Sequence, residues 1–477
     1  MQLFFTRLFC SNEYNTHFLL DKFLLEEYPT ITLYTMIFWQ THAQKGWDFM
    51  IFCAGGDLVI QVDLPTEHSG ADKISQFIRA ADARIVNLEV PIVDEPCYCS
   101  TFSGDPPLSV KPFVIDVMRR YGFQACGCAN NHTLDYGPDG LQQTMRHLHD
   151  AGFLFAGVGN SLDEASAPAT IPTAKGNVAY IAQSAVYYGN DTSRAGNGHE
   201  NIPPRPGMNG LRHIDECIVT PEEMAYVKDL AHRTMVNAED ELEDAFGYAH
   251  PDDGTFSFGQ VKFRVGETTG KFSRCHPVDM ERTERAIRNA KRTHSHCVVS
   301  LHTHQFRGRL EYETDYYLEE FAHRCIDAGA DAFVGTGTHM PKAIEIYKGK
   351  PIFYCTGNFI FQGHYISRMS ADFIEGLGYP QEMKAPEIRE RQHAGATHSM
   401  EDIPIYFQGI VPRWEMENGV VTKIELLPVE MGMQEPLGLS GFPTPMDPAL
   451  LMEHMEMVCK PYGTKLAVKG DVIEVLL

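Results

Sequence analysis

Short apolar runs that break off in polar residues recur along this chain, separated by stretches with helical periodicity. Met50-Ile51-Phe52-Cys53-Ala54 runs into Gly55-Gly56-Asp57, and Ala83-Arg84-Ile85-Val86-Asn87-Leu88 runs into Glu89. Phe123 to Cys126 leads to Asn130-Asn131-His132, Cys297 to Leu301 leads to His302-Thr303-His304, and Asp331 to Val334 leads to Gly335-Thr336-Gly337-Thr338-His339. Apolar runs of this length read as buried strands of a parallel sheet. Lys73 to Ala81, Val114 to Tyr121, Gly140 to Ala151 and Asp279 to Thr293 read as the helices between them. A further helix puts Leu318, Phe321, Ala322, Cys325 and Ile326 on one face, the stripe of a helix laid on a sheet. Strand and helix alternate, which predicts α/β layering.

The rhythm fails over 185–277, which reads as an insertion, either a cap over the crevice or a surface excursion. It returns over the rest of a domain spanning 50–361, where strands at Ala343 to Tyr347 and Pro351 to Cys355 flank a Lys348-Gly349-Lys350 turn and lead to Gly357-Asn358-Phe359. Residues 362–403 read as a mobile excursion. The tail, 404–477, carries strands about an Asn418-Gly419 turn and a helix near Pro448 to Cys459, and is expected to pack on the core. Residues 1–49 read as an N-terminal extension of doubtful structure. Asp21, Lys22, Glu26 and Glu27 interrupt its apolar stretch, so it lacks the roughly 18 to 20 apolar residues that a bilayer span needs. The expectation is a cytoplasmic protein with no clear membrane anchor.

Composition narrows the partners. The 477 residues carry 63 acidic against 40 basic side chains, a formal charge of −23, which argues against nucleic acid as a partner. An anionic substrate would then need a locally positive pocket, which a metal ion supplies. Of the twelve cysteines, Cys53, Cys126, Cys297 and Cys355 fall inside apolar strands and read as small core residues of a reduced protein.

In parallel α/β proteins the carboxyl ends of the strands converge on one crevice. Asp57, Glu89, Asn131, His132, His302, His304 and His339 all stand at such ends. Carboxylate, amide and imidazole without thiolate suit Mn, Zn or Fe, with Glu89 able to bridge a pair of ions and His132 able to protonate a leaving oxygen. The competing use of the same groups is metal-free acid–base chemistry, with His302, His304 and His339 moving protons. Asn130, beside the Asn131 amide, and Arg307 and Arg309, placed to grip an anionic group by paired hydrogen bonds, are the candidate substrate-binding residues.

Gly56-Asp57, Asn87-Leu88-Glu89, Ala129-Asn130-Asn131-His132 with Asp135-Tyr136-Gly137, Leu301-His302-Thr303-His304, and Ile344 to Tyr354 with Gly357-Asn358-Phe359 together resemble the CapA family. That family is named for poly-γ-glutamate capsule biosynthesis and belongs to the calcineurin-like metallophosphoesterase superfamily. The resemblance implies a four-layer α/β/β/α sandwich with the central insertion and a C-terminal β-rich tail. It also implies Asp57, Glu89, Asn131, His302 and His339 as metal ligands, with His132 as catalytic histidine beside the ligating Asn131. Two positions depart from the superfamily pattern, since Val59 and Thr336 stand where imidazoles are expected, and His304 replaces one of them only if the loop after Leu301 turns back into the crevice. One ion, two ions or none are therefore all consistent with the sequence. The leading reading is a metal-dependent hydrolase acting on a phosphoryl or γ-glutamyl type substrate, a small molecule, a peptide or polyglutamate. A metal-independent, epimerase-like acid–base enzyme and a non-catalytic scaffold of polymer assembly are the alternatives.

Overall fold

The computed structural model describes residues 49–65, 68–100, 106–186, 193–248, 253–394, 403–432, 435 and 438–477. The reading of the first 48 residues lies outside them.

Strands β1 (Phe49–Val59), β2 (Ala83–Leu88), β3 (Ala125–Gly127) and β4 (Leu154–Ala156) lie parallel and side by side. Helices α1 (Ser69–Arg79), α2 (Phe113–Tyr121) and α3 (Gly137–Asp150) connect them. The period of two sorts their side chains. Cys53, Val86 and Cys126 pack with Ile74, Ile78, Val114, Met118, Leu141 and Leu148 of those helices. Phe52, Ala54, Ile85 and Ala125 face the other way, into a core shared with Tyr180, Val298 and Phe333.

That second core is walled by another sheet, built from β5 (Ala169–Thr173), β6 (Gly176–Ser184), β7 (His296–His302), β8 (Ala332–Thr336), β9 (Ile344–Tyr347) and β10 (Lys350–Phe353) in the order β9-β10-β8-β7-β6-β5. Helices α4 (Pro277–Ala290) and α5 (Tyr316–Ala328) contribute Met280, Ile287, Leu318, Phe321 and Cys325 to the same core. The layering is therefore helix, sheet, sheet, helix, as expected. β11 (Asn358–Phe361) pairs in parallel with β1. The tail strands β12 (Gln408–Glu417), β13 (Val420–Glu430), β14 (Lys465–Lys469) and β15 (Val472–Leu476) extend the first sheet in the order β14-β15-β13-β12-β1. Buried Trp414 stacks on Phe52 with ring centroids 5.2 Å apart, so the tail is built into the core.

Both turns read from the sequence are two-residue hairpin loops. Lys348 and Gly349 have φ of 50° and 75°, and Asn418 and Gly419 have 51° and 76°, the left-handed pairs that match the strand twist.

The insertion is more regular than its sequence. His213–Val219, Phe256–Phe258, Val261–Val265 and Gly270–Cys275 form a four-stranded sheet, accompanied by helices Pro221–Thr234 and Ala238–Ala245. Asp279, on the first turn of α4, ties it down by accepting from the guanidinium groups of Arg194, Arg212 and Arg282 at 2.9, 2.8 and 2.6 Å. Residues 362–394 include helices Ala371–Gly376 and Ala385–Ala394, and 395–402 lie outside the described residues. Cys53, Cys126, Cys297 and Cys355 are buried and free. Among the described residues no helix is long and apolar enough to cross a membrane.

Candidate metal centre

Strand register gathers the polar groups. Asp57 on β1 is in register with Asn87 on β2 and with Asn358 on β11, while His302 on β7 is level with Thr336 on β8. A bulge at Gly55-Gly56 makes three steps along β1 match two along β2. That extra residue re-aims the strand end: without it, Asp57 would share the helix-covered face with Cys53, and with it the carboxylate turns into the crevice. Gly56 is also required by space, because a Cβ there would lie 1.8 Å from the Gly357 carbonyl oxygen. On the facing sheet the chain leaves β8 through Gly337 at φ 112° and His339 at φ 56°, both left-handed. The Gly337 N–H donates to Asp57 Oδ2 at 2.8 Å, locking this turn to β1.

Two sets of ligand-type atoms result. His302 Nε2 lies 3.1 Å from His304 Nε2, 3.0 Å from Asn131 Oδ1 and 3.4 Å from Glu89 Oε1. The loop after β7 thus does turn back and brings His304 in. In the second set, His339 Nε2 lies 3.9 Å from Glu89 Oε1, and its Nδ1 lies 3.7 Å from Asp57 Oδ2. Glu89 belongs to both sets, and the candidate ligand atoms of Glu89, His302 and His304, like those of Asp57, Glu89 and His339, lie within 4.8 Å of one another.

Asp57 and Glu89 are wholly buried. Burial alone would raise the Asp57 carboxyl, but His302, His339 and the Asn87 amide outweigh it and hold it down at about 2. Burial pushes the His302 imidazole below its ordinary range against the pull of Asp57. His304 lies well below it, through burial and the neighbouring His302 and His339. These are ionised carboxylate and neutral imidazole, the protonation states that ligate metal. Asp57 meets no lysine or arginine among the described residues. Buried carboxylate charge without a compensating cation is costly, so the donor set fits a divalent ion.

Each expected residue has a definite place. His132 lines the cavity beside the two sets and its Nδ1 lies 2.7 Å from Asp135 Oδ2. Asn130 faces inward, donating through Nδ2 to the Leu88 carbonyl at 2.8 Å and accepting the His132 N–H at 3.1 Å, so it braces the loop. Arg307 pairs with Glu319 at 2.6 Å and covers the Tyr316 ring, while Arg309 is exposed, and neither lines the cavity. Val59 lines it, and the Thr336 hydroxyl lies 3.1 Å from His302 Nδ1.

Supporting residues emerge that the sequence reading did not single out. Asn87 Nδ2 donates to Asp57 Oδ1 at 2.7 Å and lies 3.2 Å from His302 Nδ1. Asn358 Oδ1 lies 2.9 Å from His339 Nδ1. Asn87 was readable, since it stands at the end of β2, two before Glu89. The cavity outside the cluster has a volume of about 320 Å³, walled by Val59, Leu108, Phe361 and Ile366, with Glu311 as a further charged group.

Two stacked sheets with carboxylates, an amide and imidazoles at their carboxyl edge define an α/β protein of the calcineurin-like metallophosphoesterase type. More narrowly, the chain belongs to the family described as bacterial capsule synthesis protein PGA_cap, which it matches over residues 52–363. It is 29% identical over 447 residues to the uncharacterized protein y4sH of Sinorhizobium fredii, covering 89% of this chain and 92% of that one. To the PGA biosynthesis protein CapA of Bacillus subtilis it is 25% identical over 325 residues, 66% of this chain and 64% of that protein. To the capsule biosynthesis protein CapA of Bacillus anthracis it is 22% identical over 290 residues, 60% and 52% of the two chains.

Proposed function

We propose that this chain is a metal-dependent hydrolase of the PGA_cap family acting on a phosphoryl or γ-glutamyl type substrate, in a role related to poly-γ-glutamate metabolism. The observation that carries the reading is the pair of ligand sets sharing buried Glu89, with His132 on the wall of the adjoining cavity. His302, His304, Asn131 and Glu89 would hold one divalent ion, and Asp57, Glu89 and His339 a second. When bound, such ions supply positive charge for a developing oxyanion and acidity to water.

The chain's own residues do the rest. Asn87 and the Gly337 N–H fix both oxygens of Asp57. Asp135 accepts from His132 Nδ1–H, which leaves Nε2 as the atom that exchanges a proton. His132 is thereby set to protonate a leaving oxygen or nitrogen as the bond breaks. Apolar Val59, Leu108, Phe361 and Ile366 line the cavity beside these polar groups.

The test is turnover of bis-p-nitrophenyl phosphate and of γ-L-glutamyl-p-nitroanilide by protein supplied with Mn, Zn or Fe. Hydrolysis of either that is abolished by chelation, and that falls by about 10²–10⁴-fold in His132→Ala, supports the proposal. Turnover that survives complete chelation moves the same histidines to metal-free acid–base chemistry.

A further inference from the structure

We propose that Glu311 forms a subsite for a protonated primary amine, so that the substrate carries an ammonium group a short chain away from the bond broken at the metal centre. The inference rests on the hydrolase reading above and specifies its substrate class.

Glu311 and three of the candidate metal ligands, Glu89, His304 and His339, line one cavity of about 320 Å³, at the small end for ligand sites. Around them the walls are Val59, Pro106, Leu108, Phe361 and Ile366, and among the described residues no lysine or arginine lines the cavity. Away from the metal ligands, an anionic segment would meet the Glu311 carboxylate among apolar side chains. A cation would instead find a carboxylate in apolar surroundings, where an ion pair is strong, with the Phe361 ring alongside.

The carboxylate is also held in place. The Tyr406 hydroxyl donates to Glu311 Oε2, and the Tyr406 carbonyl accepts from Asn358 Nδ2 at 2.8 Å. Asn358 in turn lies 2.9 Å from His339 Nδ1 through its Oδ1. Glu311 is therefore registered to a metal-ligand candidate through two residues. Among the described residues no lysine or arginine forms an ion pair with it. Buried Lys342 attracts it only through space, as its ammonium makes no hydrogen bond among the described residues. For a polymer of γ-linked glutamate, whose interior nitrogens are amides, this subsite would select the free amino end.

The experiment is calorimetric titration of Mn-loaded protein with 3-aminopropylphosphonate and with butylphosphonate. The two share an anionic head for the metal centre and differ in ammonium against methyl. Expected is a preference of about tenfold or more for the amine in wild type, abolished in Glu311→Gln, whose amide oxygen still accepts from Tyr406. Tyr406→Phe, which keeps the charge but frees the carboxylate, lowers the preference without removing it. Equal affinities in wild type, or a preference that persists in Glu311→Gln, overturn the subsite. If butylphosphonate itself fails to bind, the metal-centre reading falls and the subsite falls with it, whereas tight butylphosphonate binding with no amine preference removes the subsite alone.

Discussion

Asn87→Ala is the perturbation that asks most directly whether the strand-end groups work as a unit. In wild type the Asn87 amide donates to Asp57 Oδ1 at 2.7 Å, inside a region that excludes water, and lies 3.2 Å from His302 Nδ1. Alanine removes that donor and leaves Asp57 with the Gly337 N–H at its other oxygen. A hydrogen bond to a charged acceptor contributes about 1.5–3 kcal/mol, so urea denaturation of the metal-free variant should show a loss in that range. Asn87 sits behind the ligands, and losing such a partner costs roughly 10–100-fold in metal affinity. Competition against a fluorescent chelator reads that affinity for Mn and Zn. The reasoning is refuted if Asn87→Ala binds both metals as tightly as wild type, because Asp57 would then need no fixing.

Asp279→Asn deprives three guanidinium groups of their carboxylate and is expected to cost about 3–5 kcal/mol at neutral pH. Burial would raise this carboxyl, but Arg212, Arg282 and Arg194 hold it well below the carboxylate range. A depressed folded value means stability that is full above about pH 4 and drains as pH falls toward that lower value. Urea melts at pH 7 and pH 3 should therefore converge in Asp279→Asn relative to wild type, and a variant as stable as wild type at pH 7 contradicts the reading. Gly56→Ala must push β1 away from Gly357 and is expected to cost about 1–3 kcal/mol and to disturb metal binding together. A stable Gly56→Ala protein with unchanged metal affinity would show that the close approach is not required.

The layering and the strand-end residues were legible because they rest on local signals: apolar runs, the helical stripe of α5, and the Lys-Gly and Asn-Gly turns. What could not be read was lateral register. Asn358 supports His339 because β11 returns beside β1, some 300 residues on, and nothing local in either strand announces that pairing. The bulge at Gly55-Gly56 likewise decides which face Asp57 takes, although a glycine pair inside a strand is a known sign of one. Arg307 follows His304 closely in sequence, yet the loop turns it onto Glu319 and Tyr316, since chain proximity does not set side-chain direction in a loop. The insertion's sheet was hidden because its strands are half-exposed and alternate weakly. One of its helices was readable all the same, as Thr220-Pro221-Glu222-Glu223 is a capping box with proline in the first turn.

The central claim, that buried Asp57, Glu89 and the facing histidines hold a divalent ion, is tested most directly by elemental mass spectrometry. The protein should be purified without chelators or an affinity metal and compared with Asp57→Asn and His302→Ala. The account predicts near-stoichiometric Mn, Zn or Fe in wild type, falling in both variants. Wild-type protein that stays metal-free after incubation with all three ions, or variants that retain the full wild-type content, would contradict it.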